Sequence, residues 1–134
     1  HMKNALWLLL AVACASEPNT PKPGAPFAAT FDLRAVVPDT LPLEFGEFTL
    51  DSGRVSLRES GTYSDVLMYR TTETSKAWQD SIYGTYAATP GYITFTPAPL
   101  FYFPAYQAAL SDARDTLVIV WNSRPFVYAR RAAP

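Results

Sequence analysis

The chain has 134 residues, enough for one domain with its own core, and its net charge of −1 with an isoelectric point near 5.7 gives no electrostatic case for nucleic acid. It has one cysteine, so it cannot form an internal disulfide. Its one histidine is His1, which leaves the rest of the chain without the residue needed for a Ser–His–acid triad or a typical zinc site.

The first predicted element is an export signal over residues 1–13. Lys3 precedes an apolar run, Ala5–Ala13, that ends in small residues, and this charge–apolar–small order is typical of a secretory signal. The run is shorter than the roughly 20 residues that a membrane-spanning helix needs. An ordinary signal peptide cut near Ala13 or Ala15, or an uncleaved anchor, would fit the same pattern.

The end of this run, Ala11–Val12–Ala13–Cys14, resembles the lipobox of bacterial lipoproteins. The resemblance implies that the leader is removed before Cys14 and that Cys14 carries a diacylglycerol group. It also implies a membrane-anchored protein of the bacterial cell envelope, periplasmic or outward-facing, with membrane lipid as its first partner.

A proline-rich segment follows the lipobox. Residues 15–26 include four prolines and almost no bulky apolar side chain, so they bury too little surface to fold and favour an extended form. We therefore assign residues 14–29 to a lipid-anchored tether and residues 30–134 to a folded domain.

The folded domain is predicted to be all-β. Asp51–Ser52–Gly53 has the composition of a hairpin turn. The polar segment Glu73–Asp80 is predicted to be a loop or one helical turn that carries Trp78. The prolines around Leu100–Phe103 favour an edge strand or a loop. Period-two alternation and flanking turn residues predict strands at Thr30–Val37, Glu47–Leu50, Arg54–Arg58, Thr62–Thr72, Ser81–Ala88, Tyr92–Thr96, Tyr106–Leu110, Thr116–Trp121 and Phe126–Arg130.

About eight or nine short strands joined mostly by hairpins predict an antiparallel meander that forms a small barrel or a sandwich. The stretches Asp80–Thr96, Asp115–Val120 and Val127–Arg131 resemble the small lipocalin-like lipoproteins of bacteria, which implies a lipocalin-like barrel and no catalytic residues. We expect large side chains to fill the interior, namely Phe31, Phe48, Tyr86, Phe95, Trp121 and Phe126.

No catalytic, metal-binding or cofactor-binding set stands out. The acidic pairs Asp112 with Asp115 and Glu44 with Glu47 lie in or beside predicted turns, where carboxylates ordinarily serve solubility and turn hydrogen bonds. We therefore expect a non-enzymatic protein without a cofactor or a metal.

Candidate contact residues are aromatic or basic. The aromatic side chains favour protein interfaces, although alternate members of such a run also fill cores, and the arginines form either a basic patch or solvated strand ends. We expect an accessory subunit of a larger envelope or energy-transducing membrane complex; the alternative is a lipocalin-like carrier of a small apolar ligand, which a ligand-sized cavity would favour. The candidate contacts with the membrane or with other subunits are Trp78, Phe101, Tyr102, Phe103, Tyr106, Arg124, Arg130 and Arg131.

Overall fold

The computed structural model describes residues 24–133. The leader, Cys14 and most of the predicted tether lie outside the described residues. The strands are β1 (Ala29–Val36), β2 (Asp39–Thr40), β3 (Leu43–Phe45), β4 (Phe48–Leu57), β5 (Thr62–Thr71), β6 (Ala77–Thr89), β7 (Tyr92–Pro97), β8 (Tyr106–Leu110), β9 (Thr116–Trp121) and β10 (Arg124–Arg130), with one 3₁₀ turn at Pro99–Phe101.

The strands form a closed barrel. From β4 to β10 each strand pairs antiparallel with the next, and β1 pairs antiparallel with both β10 and β4, so eight strands close the ring. The short strands β2 and β3 pair with β1 and β4 outside this ring. The predicted all-β antiparallel fold is confirmed, and it is a barrel rather than a sandwich. Within residues 24–133, no helix is long and apolar enough to cross a membrane.

Alternation along the strands builds the core. Inward-facing side chains from strands around the ring are fully buried, which is expected when a small barrel is filled by its own side chains. The core includes Phe31, Val36, Leu50, Val55, Tyr63, Ile93, Phe95, Leu117, Ile119 and Tyr128.

The two ends of the barrel differ. We call the end where β5 stops and β6 begins the mouth; the loop of residues 98–105 and the turn of residues 122–123 lie there. At the opposite, closed end, Phe27 packs against the core, and its backbone N–H donates to the Tyr86 hydroxyl at 2.8 Å. The Tyr86 hydroxyl donates in turn to the Phe27 carbonyl at 2.7 Å, and the Arg114 guanidinium lies 4.6 Å from the centre of the Phe27 ring. The chain therefore enters the barrel at the end away from the mouth.

The predicted hairpin at Asp51–Ser52–Gly53 is wrong. These residues lie inside one continuous strand, β4, with a bulge between Leu50 and Ser52. Gly53 is needed for close packing instead of a turn, because a Cβ there would lie 2.9 Å from Leu67 Cδ2 and 3.1 Å from Leu33 Cβ.

Three further expectations are corrected. Trp78 lies in strand β6, opposite Tyr69 of β5, and not in a loop or a helical turn. Phe48 lies at the rim of the mouth and is 40% exposed, so it does not fill the core. The strict period-two alternation predicted for Thr30–Val37 is interrupted by a bulge between Leu33 and Ala35, so that Phe31, Leu33 and Val36 are buried and Val37 is exposed.

The hairpin between β9 and β10 is tighter than predicted. Arg124 pairs directly with Trp121, so the turn consists of Asn122 and Ser123 alone. Both residues have positive φ, 49° and 63°, as a two-residue type I′ turn requires.

Candidate functional site

The mouth of the barrel contains a cavity of about 410 Å³. That volume lies within the range of small-molecule binding sites in proteins, roughly 300–1,000 Å³. The interior is filled in the buried core, as expected, and this cavity lies beside that core at the mouth. The residues that line this mouth cavity are Asp65, Leu67, Tyr69, Asp80, Ser81, Ile82, Phe101, Phe103, Trp121 and Asn122.

Strand alternation explains how these side chains come together. Tyr63 is fully buried in β5, so Asp65, Leu67 and Tyr69 follow it on the inward face. In β6, paired with β5, Asp80 and Ile82 share the inward phase of the buried Tyr86. The wall opposite is completed by the end of β9 and the loop of residues 98–105.

Asp65 is the most unusual member of the site. The residue is only 6% exposed, and one of its carboxylate oxygens, Oδ2, accepts a hydrogen bond from the Tyr106 hydroxyl at 2.9 Å. Burial raises the pKa of Asp65 to about 6; the hydrogen bond from Tyr106 opposes that rise, and the negative charge of Asp80 adds to it. The charge of this buried carboxyl group can therefore change close to neutral pH.

The cavity contains no compensating cation. Neither lysine nor arginine is among its lining residues. In the part of the chain that the structure describes, the ion pairs are Arg70–Asp51, Arg124–Asp39 and Arg131–Asp32, and none involves Asp65 or Asp80.

Two tyrosine hydroxyls inside the barrel also lack protein partners. Tyr63 Oη and Tyr128 Oη are buried and form no hydrogen bond within residues 24–133. Burial raises the pKa of both tyrosines, and the negative charge of Asp65 raises each further. Buried polar groups without partners are uncommon in proteins, which marks this part of the interior as more polar than a simple core.

Aromatic rings surround the mouth cavity. Tyr69 stacks on Trp78 with ring centres 4.5 Å apart. On the other side, Trp121 lies 5.0 Å from Tyr106 and 5.8 Å from Phe103, measured between ring centres. The mouth therefore combines flat apolar surfaces with a buried carboxylate.

The structure brings most of the predicted aromatic contacts to the mouth. Phe101 and Phe103 line the cavity, Tyr106 holds Asp65, and Trp78 stacks behind Tyr69. Tyr102 differs from these, because it is 97% exposed and has a left-handed backbone with φ of 50°.

The predicted arginines do not form one basic patch. Arg124 begins β10 beside the mouth, whereas Arg130 ends it at the closed end, about 20 Å away at the usual rise per residue. Arg124 donates to the Val36 carbonyl at 2.8 Å and to Asp39, and Arg131 forms an ion pair with Asp32. These guanidinium groups are largely engaged in holding the barrel together.

Sequence reasoning missed the two carboxylates of the cavity. The signal for Asp65 was present, since it alternates in phase with Tyr63 and Leu67 in a predicted strand. Asp80 ends the polar segment Glu73–Asp80, which was predicted to be a loop or one helical turn, whereas strand β6 begins within that segment at Ala77. Within residues 24–133, no three histidine, cysteine or acidic side chains come together as a metal-binding group.

Fold and site together define a closed eight-stranded antiparallel barrel with an aromatic, acidic cavity at its mouth. No protein-family model, no curated protein and no solved structure matches this chain.

Proposed function

We propose that this protein is a non-enzymatic binding protein that holds a small molecule in the mouth of its barrel. The observation that carries the proposal is the mouth cavity, which has the volume of a small-molecule site and is lined largely by apolar and aromatic side chains. Of the two functions considered from the sequence, the carrier fits this cavity better than the accessory subunit does.

We further propose that the barrel works at a membrane of the bacterial cell envelope, attached through an acylated Cys14. This part of the proposal is supported by the lipobox-like Ala11–Cys14 and by the apolar run before it. Mass spectrometry of the protein purified from membranes tests it: a diacyl or triacyl mass on Cys14 is expected, and a free thiol at that position would contradict it.

A second candidate function, an accessory subunit of an envelope or energy-transducing complex, is favoured by one observation. Leu100 and Tyr102, in the loop of residues 98–105 at the mouth, are 60% and 97% exposed. Exposed aromatic and apolar side chains of this kind are common at protein–protein contacts. Native mass spectrometry after gentle extraction distinguishes the two, because a subunit would remain bound to other chains.

Binding is tested with N-phenyl-1-naphthylamine, a neutral apolar dye whose fluorescence rises in apolar surroundings. We expect saturable binding to the wild-type protein. Ile82→Trp places a larger side chain in the cavity and should abolish the signal. Thr85→Trp, on the exposed outer face of the same strand, is the matched control and should leave it unchanged. Equal dye binding by all three proteins would contradict the cavity as the site.

A further inference from the structure

We infer that the ligand of the mouth cavity carries a protonated amine, which binds the Asp65 carboxylate, and an aromatic or apolar body, which lies against Trp121 and Phe103. This inference rests on the proposed function and names the chemical class of ligand for the same cavity.

The first argument is the isolation of a buried charge. Transferring a carboxylate out of water is costly unless it is paired, and buried charges in proteins are normally matched by a cation or by several hydrogen bonds. Asp65 has one hydrogen bond, from Tyr106, and no cation within the described part of the chain. A ligand ammonium group would supply the missing partner.

The second argument is the sign of the surrounding charge. Asp80 lines the same cavity, and the two carboxylates face it from neighbouring strands without an arginine or lysine among the lining residues. A cavity of one charge sign with low-dielectric walls concentrates the field and attracts the opposite charge. An anionic ligand such as a fatty acid would be repelled.

The third argument is the composition of the walls. An ammonium group within about 6 Å of an aromatic face is attracted to the ring, and the same ring buries an apolar ligand body. Trp121 and Phe103 lie beside Tyr106, whose hydroxyl holds Asp65, so apolar contact and charge recognition are available to one molecule.

Binding of an amine should depend on pH through Asp65. The tyrosines facing it have raised pKa values and stay neutral between pH 5 and 8, while Asp80 is the other carboxylate of the cavity. Since Asp65 has a pKa of about 6, affinity should be about tenfold weaker at pH 5 than at pH 7. The titratable groups around Asp65 are Asp80, Tyr63, Tyr69, Tyr106 and Tyr128.

The test compares 2-phenylethylamine with 2-phenylethanol, which have the same ring and chain but differ in charge. Calorimetric titration at pH 7.5 should give the amine at least about tenfold higher affinity in the wild type, the size expected for a charged hydrogen bond. Asp65→Asn should bring the two affinities together while dye binding persists. Asp80→Asn, at an exposed position, should reduce the preference partially.

Asp112→Asn is the matched control, since it removes the same charge from an exposed turn outside the cavity and should keep the full preference. Equal affinities for amine and alcohol in the wild type, with dye binding intact, would overturn the inference and leave the proposed function standing. A preference for the amine that persists at full size in Asp65→Asn would also overturn it. If the dye, the amine and the alcohol all fail to bind, the proposed function itself is wrong.

Discussion

Replacing Asp65 with asparagine is expected to stabilise the ligand-free barrel at neutral pH. Asparagine has nearly the same shape as aspartate and keeps an oxygen that accepts the Tyr106 hydroxyl, 2.9 Å away in the wild type. It removes the negative charge from a residue that is only 6% exposed. The substitution therefore separates the cost of the buried charge from the packing of the barrel.

The size of the effect follows from the pKa of Asp65. Folding raises this pKa from 3.8 to about 6, and each unit corresponds to about 1.4 kcal/mol, so the ionised carboxylate costs the folded state about 3 kcal/mol. The folded state binds the proton more tightly than the unfolded chain. The stability linked to Asp65 is thus fully present below about pH 3.8 and is lost as the pH rises through about 6.

Urea unfolding of both proteins at pH 4, 5, 6, 7 and 8 measures this difference. The two free energies of unfolding should nearly coincide at pH 4 and separate by about 3 kcal/mol at pH 8, with Asp65→Asn the more stable. The pKa of Asp32 is lowered chiefly by its hydrogen bond from Arg131, so its contribution to the free energy of unfolding is lost as the pH falls. This contribution is the same in both proteins and cancels in the difference. A constant difference across the pH range would refute the reasoning.

Three further substitutions test the fold. Gly84→Ala should prevent folding or lower the free energy of unfolding by several kcal/mol, because its Cβ would overlap the Thr96 carbonyl oxygen; an unchanged free energy of unfolding in urea would contradict this. Tyr86→Phe should cost about 1–3 kcal/mol in urea unfolding and speed hydrogen exchange at the Phe27 amide; unchanged exchange would contradict the contact. Ser123→Gly should raise the free energy of unfolding by about 1 kcal/mol, because glycine adopts φ of 63° without strain, and a lower value would refute this.

The strands were predictable where one face is apolar and the turn chemistry is local. The predicted strand Tyr92–Thr96 agrees with β7 to within one residue. Its alternating side chains and the preceding turn residues, Thr89–Pro90–Gly91, are adjacent in the sequence, so a local pattern is enough to locate the strand. The role of Gly53 was not predictable in this way. Glycine occurs both in turns and where two elements pack closely. At Gly53 the close packing becomes evident only when Leu33 and Leu67, from two other strands, are in place beside it.

The site was predictable only in part. Phe101, Phe103 and Tyr106 were identified by composition, and the closed barrel gathers them at the mouth. The cavity itself depends on how completely side chains from several strands fill a closed ring, which no local pattern records. Asp65 could be placed on the inward face from its alternation, but its lack of a cation becomes visible only when every neighbouring strand is in position.

The pairing of β1 with both β4 and β10 has a consequence for how the chain folds. Asp32 and Arg131, which form an ion pair across the β1–β10 junction, are separated by 99 residues, so the ring cannot close until β10 has been synthesised. Contacts between such distant segments slow folding, because the entropy of a long loop is lost before the contacts form. The hairpins from β4 to β10 are local, and the paired residues of β1 and β4 are only 22–28 positions apart, so these pairs should form first and the β1–β10 pairing should close the ring last. Under the proposed location in the cell envelope, the β1–β10 pairing would form only after β10 has crossed the membrane.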